Sequence, residues 1–258
     1  MLNLERQQEI LSIVKEKNSA TVEELASELF VSGATIRRDL KEMEKQGLIK
    51  RTHGGAMSFK DSTDESSFAL REQENTVAKR TMAHLAAKLI ASGDNVFLDS
   101  SSSSGALIPK LNGFPVLSVT TTGIRNALLL SQSDHIRIYI AGGQILNHSN
   151  SIIGSDTVDY ISRMHSDIAF MSCSGVDVQN GFTDSSTEQA KLKRQMRQNS
   201  KKVAMLVDST KFNKTFLCTD FDFNEVDYLI TEKTPPIEFV ERIAQTKCKI
   251  ISPENTDY

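Results

Sequence analysis

Between residues 96 and 207 one short pattern recurs five times: an apolar run, then small or polar residues. The runs are Val96-Phe97-Leu98, Val116 to Val119, Ile136 to Ile140, Ile168 to Met171 and Val203 to Val207. They end at Asp99-Ser100, Thr120-Thr121, Ala141-Gly142, Ser172-Cys173 and Asp208-Ser209. Nearly continuous apolar runs of this length read as strands buried on both faces, and such strands belong to a parallel sheet covered by helices. Helix-like segments between several of them agree, so an open, mostly parallel α/β sheet is predicted. Ligands of such sheets sit outside the carboxyl ends of the strands. The loops there bring together Asp99, Ser100, Ser101, Ser102, Ser103, Thr121, Thr122, Gly142, Gly143, Ser174, Gly175 and Asp208. Small hydroxyl residues and backbone N–H groups at strand ends can hold an anion.

This pattern occupies only part of 258 residues, and at about 150 residues per domain a second domain is expected. Apolar residues at 39% and charged residues at 24% suit a globular chain and argue against a fibre or a disordered one. No run approaches 18 apolar residues, so no membrane span is expected, and the first residues lack the apolar core of a secretory signal. Cys173, Cys218 and Cys248 are odd in number and far apart. That spacing predicts neither a disulfide framework nor a metal site and points to a reducing cytoplasm. No cofactor is expected. The net charge of −3 excludes a global electrostatic footprint for nucleic acid, so any such footprint must be local.

The first sixty residues hold one. Residues 1–31 sum to −3 and residues 32–60 to +4. Asn3 is placed to cap a first helix with Ile10, Leu11 and Val14 inward. Thr21-Val22-Glu23-Glu24 has the form of a capping box opening a short helix. Ser32 is a second cap, with Gly33 suited to the tight turn, and Gly47 ends the helix that follows. On this helix Ile36, Leu40 and Met43 share one side, while Arg37, Arg38, Lys41 and Lys45 fall on the opposite side, with Asp39, Glu42 and Glu44 flanking. A basic outward face on the second helix of a helix-turn-helix is the pattern of a helix laid in a major groove. Leu48 to Ala56 reads as a β-hairpin wing turning at Gly54-Gly55, with Lys50, Arg51 and His53 against phosphates. The predicted domains are a winged helix-turn-helix over 1–57, a linker over 58–72 and an α/β domain over 73–258. A helix from about Arg71 to Ala91 opens the last.

Val31-Ser32, Thr35-Ile36-Arg37-Arg38-Asp39-Leu40 and Gly47-Leu48-Ile49-Lys50-Arg51-Thr52-His53-Gly54-Gly55-Ala56 together resemble the DNA-binding signature of the DeoR family of bacterial transcription regulators. The resemblance covers about nine-tenths of the chain. It implies that Ser32 and Thr35 join the basic residues in contacting DNA. It implies a second domain of the sugar-phosphate isomerase and CoA-transferase type that senses a phosphorylated metabolite. It also implies repression of a sugar-catabolism operon. Lys193 falls at the family's pocket lysine and Lys211 at another recurring position. Lys193 is expected to meet phosphate as a mobile point charge. Where the family usually has Gly-Thr-Thr this chain has Ser101-Ser102-Ser103, and Thr122 replaces a common asparagine. These departures keep an anion site and select no metabolite.

Two functional classes follow. One is a non-catalytic regulator that binds double-stranded operator DNA as a homodimer or homotetramer and is released by a phosphorylated sugar. The other is an isomerase or deaminase carrying a DNA-binding appendage. That chemistry needs a general base beside the substrate, and His53, His84, His135, His148 and His165 all lie outside the strand-end loops.

Overall fold

The computed structural model describes residues 3–58, 67–147 and 149–255. The chain divides into two compact units, Met1–Gln73 and Glu74–Tyr258. In the first unit the order is α1 (Asn3–Lys17), β1 (Ser19–Thr21), α2 (Val22–Glu28), α3 (Gly33–Lys45), β2 (Lys50–Arg51), β3 (Gly55–Met57) and α4 (Phe68–Gln73). Asn3 is the first residue of α1 rather than its cap. Residues 59–66 of the expected linker lie outside the described residues, and 68–72 are helical instead of irregular.

Thr21 and Glu24 form the capping box that opens α2. Ser32 caps α3 by accepting the Thr35 N–H at 3.2 Å. The end of α3 is a paired closure: Gly47 takes φ 67°, its N–H meets Glu44 O at 2.9 Å, and the Leu48 N–H meets Met43 O at 2.9 Å. Ile36, Leu40 and Met43 enter a core with Ile10, Val14, Leu25, Ile49 and Ala56. The turn between α2 and α3 does not use Gly33, which is already helical. Phe30 takes the left-handed conformation there, at φ 54°, while the Val31 N–H reaches Ala26 O at 3.1 Å. For a residue with a Cβ that conformation costs roughly 1–2 kcal/mol.

β3 pairs antiparallel with both β1 and β2, so the wing is the outer part of a three-stranded sheet. Gly55 serves this sheet, not the turn. A Cβ on it would stand 2.1 Å from Ala20 O, so only glycine lets β3 approach β1.

The second unit begins with α5 (Thr76–Ala87), so the long helix expected from Arg71 is broken at Glu74 and Asn75, the latter at φ 51°. There follow β4 (Asn95–Leu98), α6 (Ser102–Gly105), α7 (Ile108–Leu111), β5 (Leu117–Thr121), α8 (Ile124–Leu130) and β6 (Ile136–Ile140). Next come β7 (Gln144–Leu146), β8 (Ser151–Ile153), α9 (Ser155–Ser162), β9 (Ser166–Met171), β10 (Gly175–Asp177), β11 (Gly181–Asp184) and α10 (Thr187–Gln198). The chain closes with β12 (Ser200–Leu206), β13 (Cys218–Phe221), β14 (Tyr228–Ile230), α11 (Ile237–Ile243) and β15 (Lys249–Ile251).

The main sheet has seven strands in the order β15-β14-β12-β9-β4-β5-β6, every pair parallel. Successive strand residues point to opposite faces, and both faces are buried. Val96, Leu98, Ile168, Phe170, Ala204 and Leu206 pack in one core with residues of α5, α7 and α8. Phe97, Ala169, Met171, Val203 and Met205 pack in the other with residues of α9, α10 and α11. From β4 the chain adds β5 and β6 on one side, then returns to lay β9 on the other. The order therefore reverses between β4 and β9, the kind of switch point beside which open α/β sheets bind ligands at their strand ends.

Candidate functional site

In the first unit, Arg37, Arg38, Lys41 and Lys45 are exposed on α3, opposite its buried apolar residues. Lys50 and Arg51 on β2 and His53 in the following turn are exposed as well. Ser32 and Thr35 stand at the helix start, their hydroxyls 2.9 Å apart. Asp39 is not on the flank. It is buried and receives Arg6 Nε at 2.5 Å and Arg6 Nη2 at 3.2 Å, which ties α1 to α3. One anion is thereby withdrawn from the surface of the basic helix.

In the second unit the loops after β4 and β9 meet at the switch point. Asp99 Oδ1 accepts Ser101 N–H at 2.9 Å and the hydroxyls of Ser101 and Ser104 at 2.6 Å each. Its Oδ2 accepts the Ser172 N–H at 2.9 Å. Asn126 Nδ2 donates to Asp99 O at 2.9 Å and Ser101 O at 3.3 Å, adding α8 to the network. Asp99 therefore shapes the serine loop and docks it on β9. Both its oxygens accept hydrogen bonds from the protein itself.

Lys193 is 4% exposed. Its ammonium donates to Ser172 O at 2.5 Å and to the Asp184 carboxylate, with Asp220 Oδ2 at 3.5 Å and Asp99 Oδ2 at 3.9 Å. It is not the mobile point charge that the sequence suggests. Burial alone would lower its pKa, but its carboxylate neighbours, Asp184 foremost, outweigh burial and hold it above the ordinary lysine value. Asp184 also accepts the N–H and hydroxyl of Ser174, at 2.8 Å each. Burial pushes Asp184 upward, yet Lys193 and these bonds keep its carboxylate below the usual range. Asp220 goes the other way. It is 3% exposed, and burial beside Asp184 raises it to about 9. Burial thus favours the neutral form of Asp220.

Lys211, half-buried, donates to two neutral acceptors, Ser172 Oγ and Cys173 O, at 2.8 Å each. Asp208 Oδ1 accepts the Thr210 N–H at 3.1 Å and Asn75 Nδ2 at 3.2 Å. Lys211 and the Thr210 bonds overcome burial to hold Asp208 below its ordinary pKa. Burial pushes the Cys173 thiol up to about 12, which leaves it un-ionised.

The remaining expected residues divide. Ser101 is half-buried and caps α6, whose first turn carries buried Ser102 and Ser103. Ser100 is buried and bonded to Ser151 Oγ at 2.5 Å. Thr121 Oγ1 accepts the Gly123 N–H at 3.1 Å, and Thr122 O accepts the Ile152 N–H at 2.8 Å. Gly142 is exposed, and its carbonyl accepts Thr157 Oγ1 at 2.9 Å. Gly143 and Gly175 answer to packing: a Cβ would stand 2.1 Å from Thr157 Oγ1 at the first and 2.4 Å from Lys214 O at the second. Ser172, Asp184, Asp220, Asn126 and Asn75 were not singled out from sequence. An aspartate set among apolar strand residues, as in Phe182-Thr183-Asp184 and Asp220-Phe221, is the one signal that could have found the two acids. His53, His84, His135 and His165 are exposed and hydrogen-bond to no part of this network among the described residues; His148 lies outside them.

Residues 6–62 match the DeoR-like helix-turn-helix domain, and residues 74–233 match the DeoR C terminal sensor domain. Curated relatives include an uncharacterized HTH-type transcriptional regulator, YulB, of Bacillus subtilis, 34% identical over 97% of this chain and 96% of that protein. The HTH-type transcriptional repressor GlcR of the same organism is 32% identical over 100% and 99%. The glycerol-3-phosphate regulon repressor of Escherichia coli is 30% identical over 93% and 95%. Among solved structures, ribose 5 phosphate isomerase A from Neisseria gonorrhoeae aligns with 52% of each chain at TM-score 0.38 and 14% identity. Two family domains in the expected order and relatives spanning both units make one assignment: the chain belongs to the DeoR family of helix-turn-helix transcriptional regulators.

Proposed function

We propose that this chain is a cytoplasmic, non-catalytic repressor of a sugar-catabolism operon, released from its operator by a phosphorylated sugar. The first unit binds double-stranded DNA through Arg37, Arg38, Lys41 and Lys45 in the major groove. Ser32 and Thr35 stand at the groove end of α3, with Lys50, Arg51 and His53 on flanking phosphates. A single such unit supplies few contacts, so a homodimer or homotetramer reads repeated half-sites. The observation that carries this reading is the sorting of α3 into a buried apolar side and an exposed side bearing four cations.

The effector seat is the crevice outside β4 and β9, with Ser101, Ser102, Ser174 and Lys211 as its contacts. Ser100, Ser103, Thr121, Thr122, Gly142, Gly143 and Gly175 shape the loops around it. Lys211 is the phosphate partner, because its ammonium is hydrogen-bonded only to neutral groups among the described residues. Lys193, bound by Asp184, holds the site's shape from beneath, together with Asp99. A phosphorylated sugar or polyol fits both this chemistry and the name of the glycerol-3-phosphate regulon repressor among the relatives.

Coupling has a physical route. Asn75 is the second residue after the first unit ends, and its amide holds Asp208 and Thr210, each at 3.2 Å, in the loop that carries Lys211. An effector that moves Lys211 pulls on the chain leading to the DNA-binding unit. Effector and operator then weaken each other by the same factor. The test is a mobility shift on the DNA upstream of the protein's own gene, with a panel of sugar phosphates. Release by one compound without its turnover is expected. Conversion of a sugar phosphate at enzyme-like rates would overturn the reading.

A further inference from the structure

The turn ahead of the basic helix contains a residue the fold does not ask for. Phe30 is left-handed at φ 54°, at the one position after α2 where glycine or asparagine would sit without strain. Its neighbours Leu29 and Val31 pack on the core of the first unit, whereas the Phe30 side chain is 94% exposed. The ring therefore contributes almost nothing to packing while its backbone carries strain. Strain retained without an internal return marks a residue that works outside its own chain.

Its place says what it meets. Phe30 precedes the cap Ser32 by two residues, so its Cα lies within about 7 Å of the start of α3. The start of a recognition helix is the part that contacts base edges. In the major groove the apolar feature that a phenyl ring can read is the 5-methyl group of thymine. We propose that Phe30 is a specificity-determining residue that packs on a thymine methyl beside the bases contacted by α3. The inference rests on the DNA-binding reading and adds to it an apolar contact that the charge pattern does not contain.

The experiment uses the full chain and a duplex that it selects from a randomised DNA pool. Each thymine of that duplex is replaced in turn by deoxyuridine, which removes the methyl and leaves charge and base pairing unchanged. For wild type, replacement at one position per half-site is expected to weaken binding about fourfold per methyl removed. Phe30→Asn and Phe30→Gly both accept the left-handed backbone, so their thermal stability should equal or exceed that of wild type. Both should bind the thymine duplex more weakly and bind the two duplexes equally. Indifference of wild type to every replacement, or an unaltered thymine preference in both variants, would overturn the proposal. Failure of wild type to enrich any sequence would bring down the DNA-binding reading itself, and the Phe30 contact with it.

Discussion

Lys193 is buried against Asp184 and Asp220, and the Asp184 carboxylate is its hydrogen-bonded partner. Removing one member of a buried ion pair strands the other, at a cost of about 3–5 kcal/mol. Lys193→Ala is therefore expected to lower stability by that order in urea unfolding, instead of leaving a sound fold with a blunted response. Lys211→Ala should do the opposite, keeping stability and operator binding while losing release by effector. Asp220 adds a pH signature. Unfolded, its carboxyl ionises near pH 3.9; folded, it keeps its proton to about pH 9. The native state then holds the extra proton between those values, so the stability from this group is complete below pH 4 and is lost as pH rises toward 9. Melting temperature should fall from pH 5 to pH 9, and Asp220→Asn, which mimics the neutral acid, should flatten that fall. An unchanged slope in Asp220→Asn would assign the proton to another group.

At the scale of elements, α3 carries the DNA-binding reading. Arg37→Ala and Lys41→Ala are each expected to weaken operator binding and to reduce the slope of log affinity against log salt by about 0.9 for each phosphate no longer neutralised. Identical slopes in wild type and both variants would remove this face from the groove. The element was legible because its inputs are local: the Ser32 cap, the Gly47 stop and the spacing of Ile36, Leu40 and Met43 all lie within one helix. The five strands first read from their apolar runs are present for the same reason. β14 and β15 went unread because three-residue strands such as Tyr228–Ile230 carry too few residues to show a pattern. Lys193 shows the other limit. Its burial depends on Asp184 and Asp220, which reach it from an antiparallel sheet of β10, β11 and β13, and no local periodicity announces that pairing. Phe30 was hidden differently, because Gly33 offered a cheaper residue for the turn and the backbone did not use it.

At the scale of the whole molecule, the first unit carries the basic helix α3 and the second the proposed effector seat at the topological switch point, and the two binding equilibria are proposed to be linked. Linkage is reciprocal in binding free energy. The most direct test titrates labelled operator DNA with the full-length protein, with and without each of a panel of sugar phosphates, for wild type and Lys211→Ala. The expected result is that one compound lowers wild-type operator affinity, that operator DNA lowers affinity for that compound by the same factor, and that both effects vanish in Lys211→Ala. Operator affinity that no phosphorylated sugar alters, or a full effect retained in Lys211→Ala, would contradict the account.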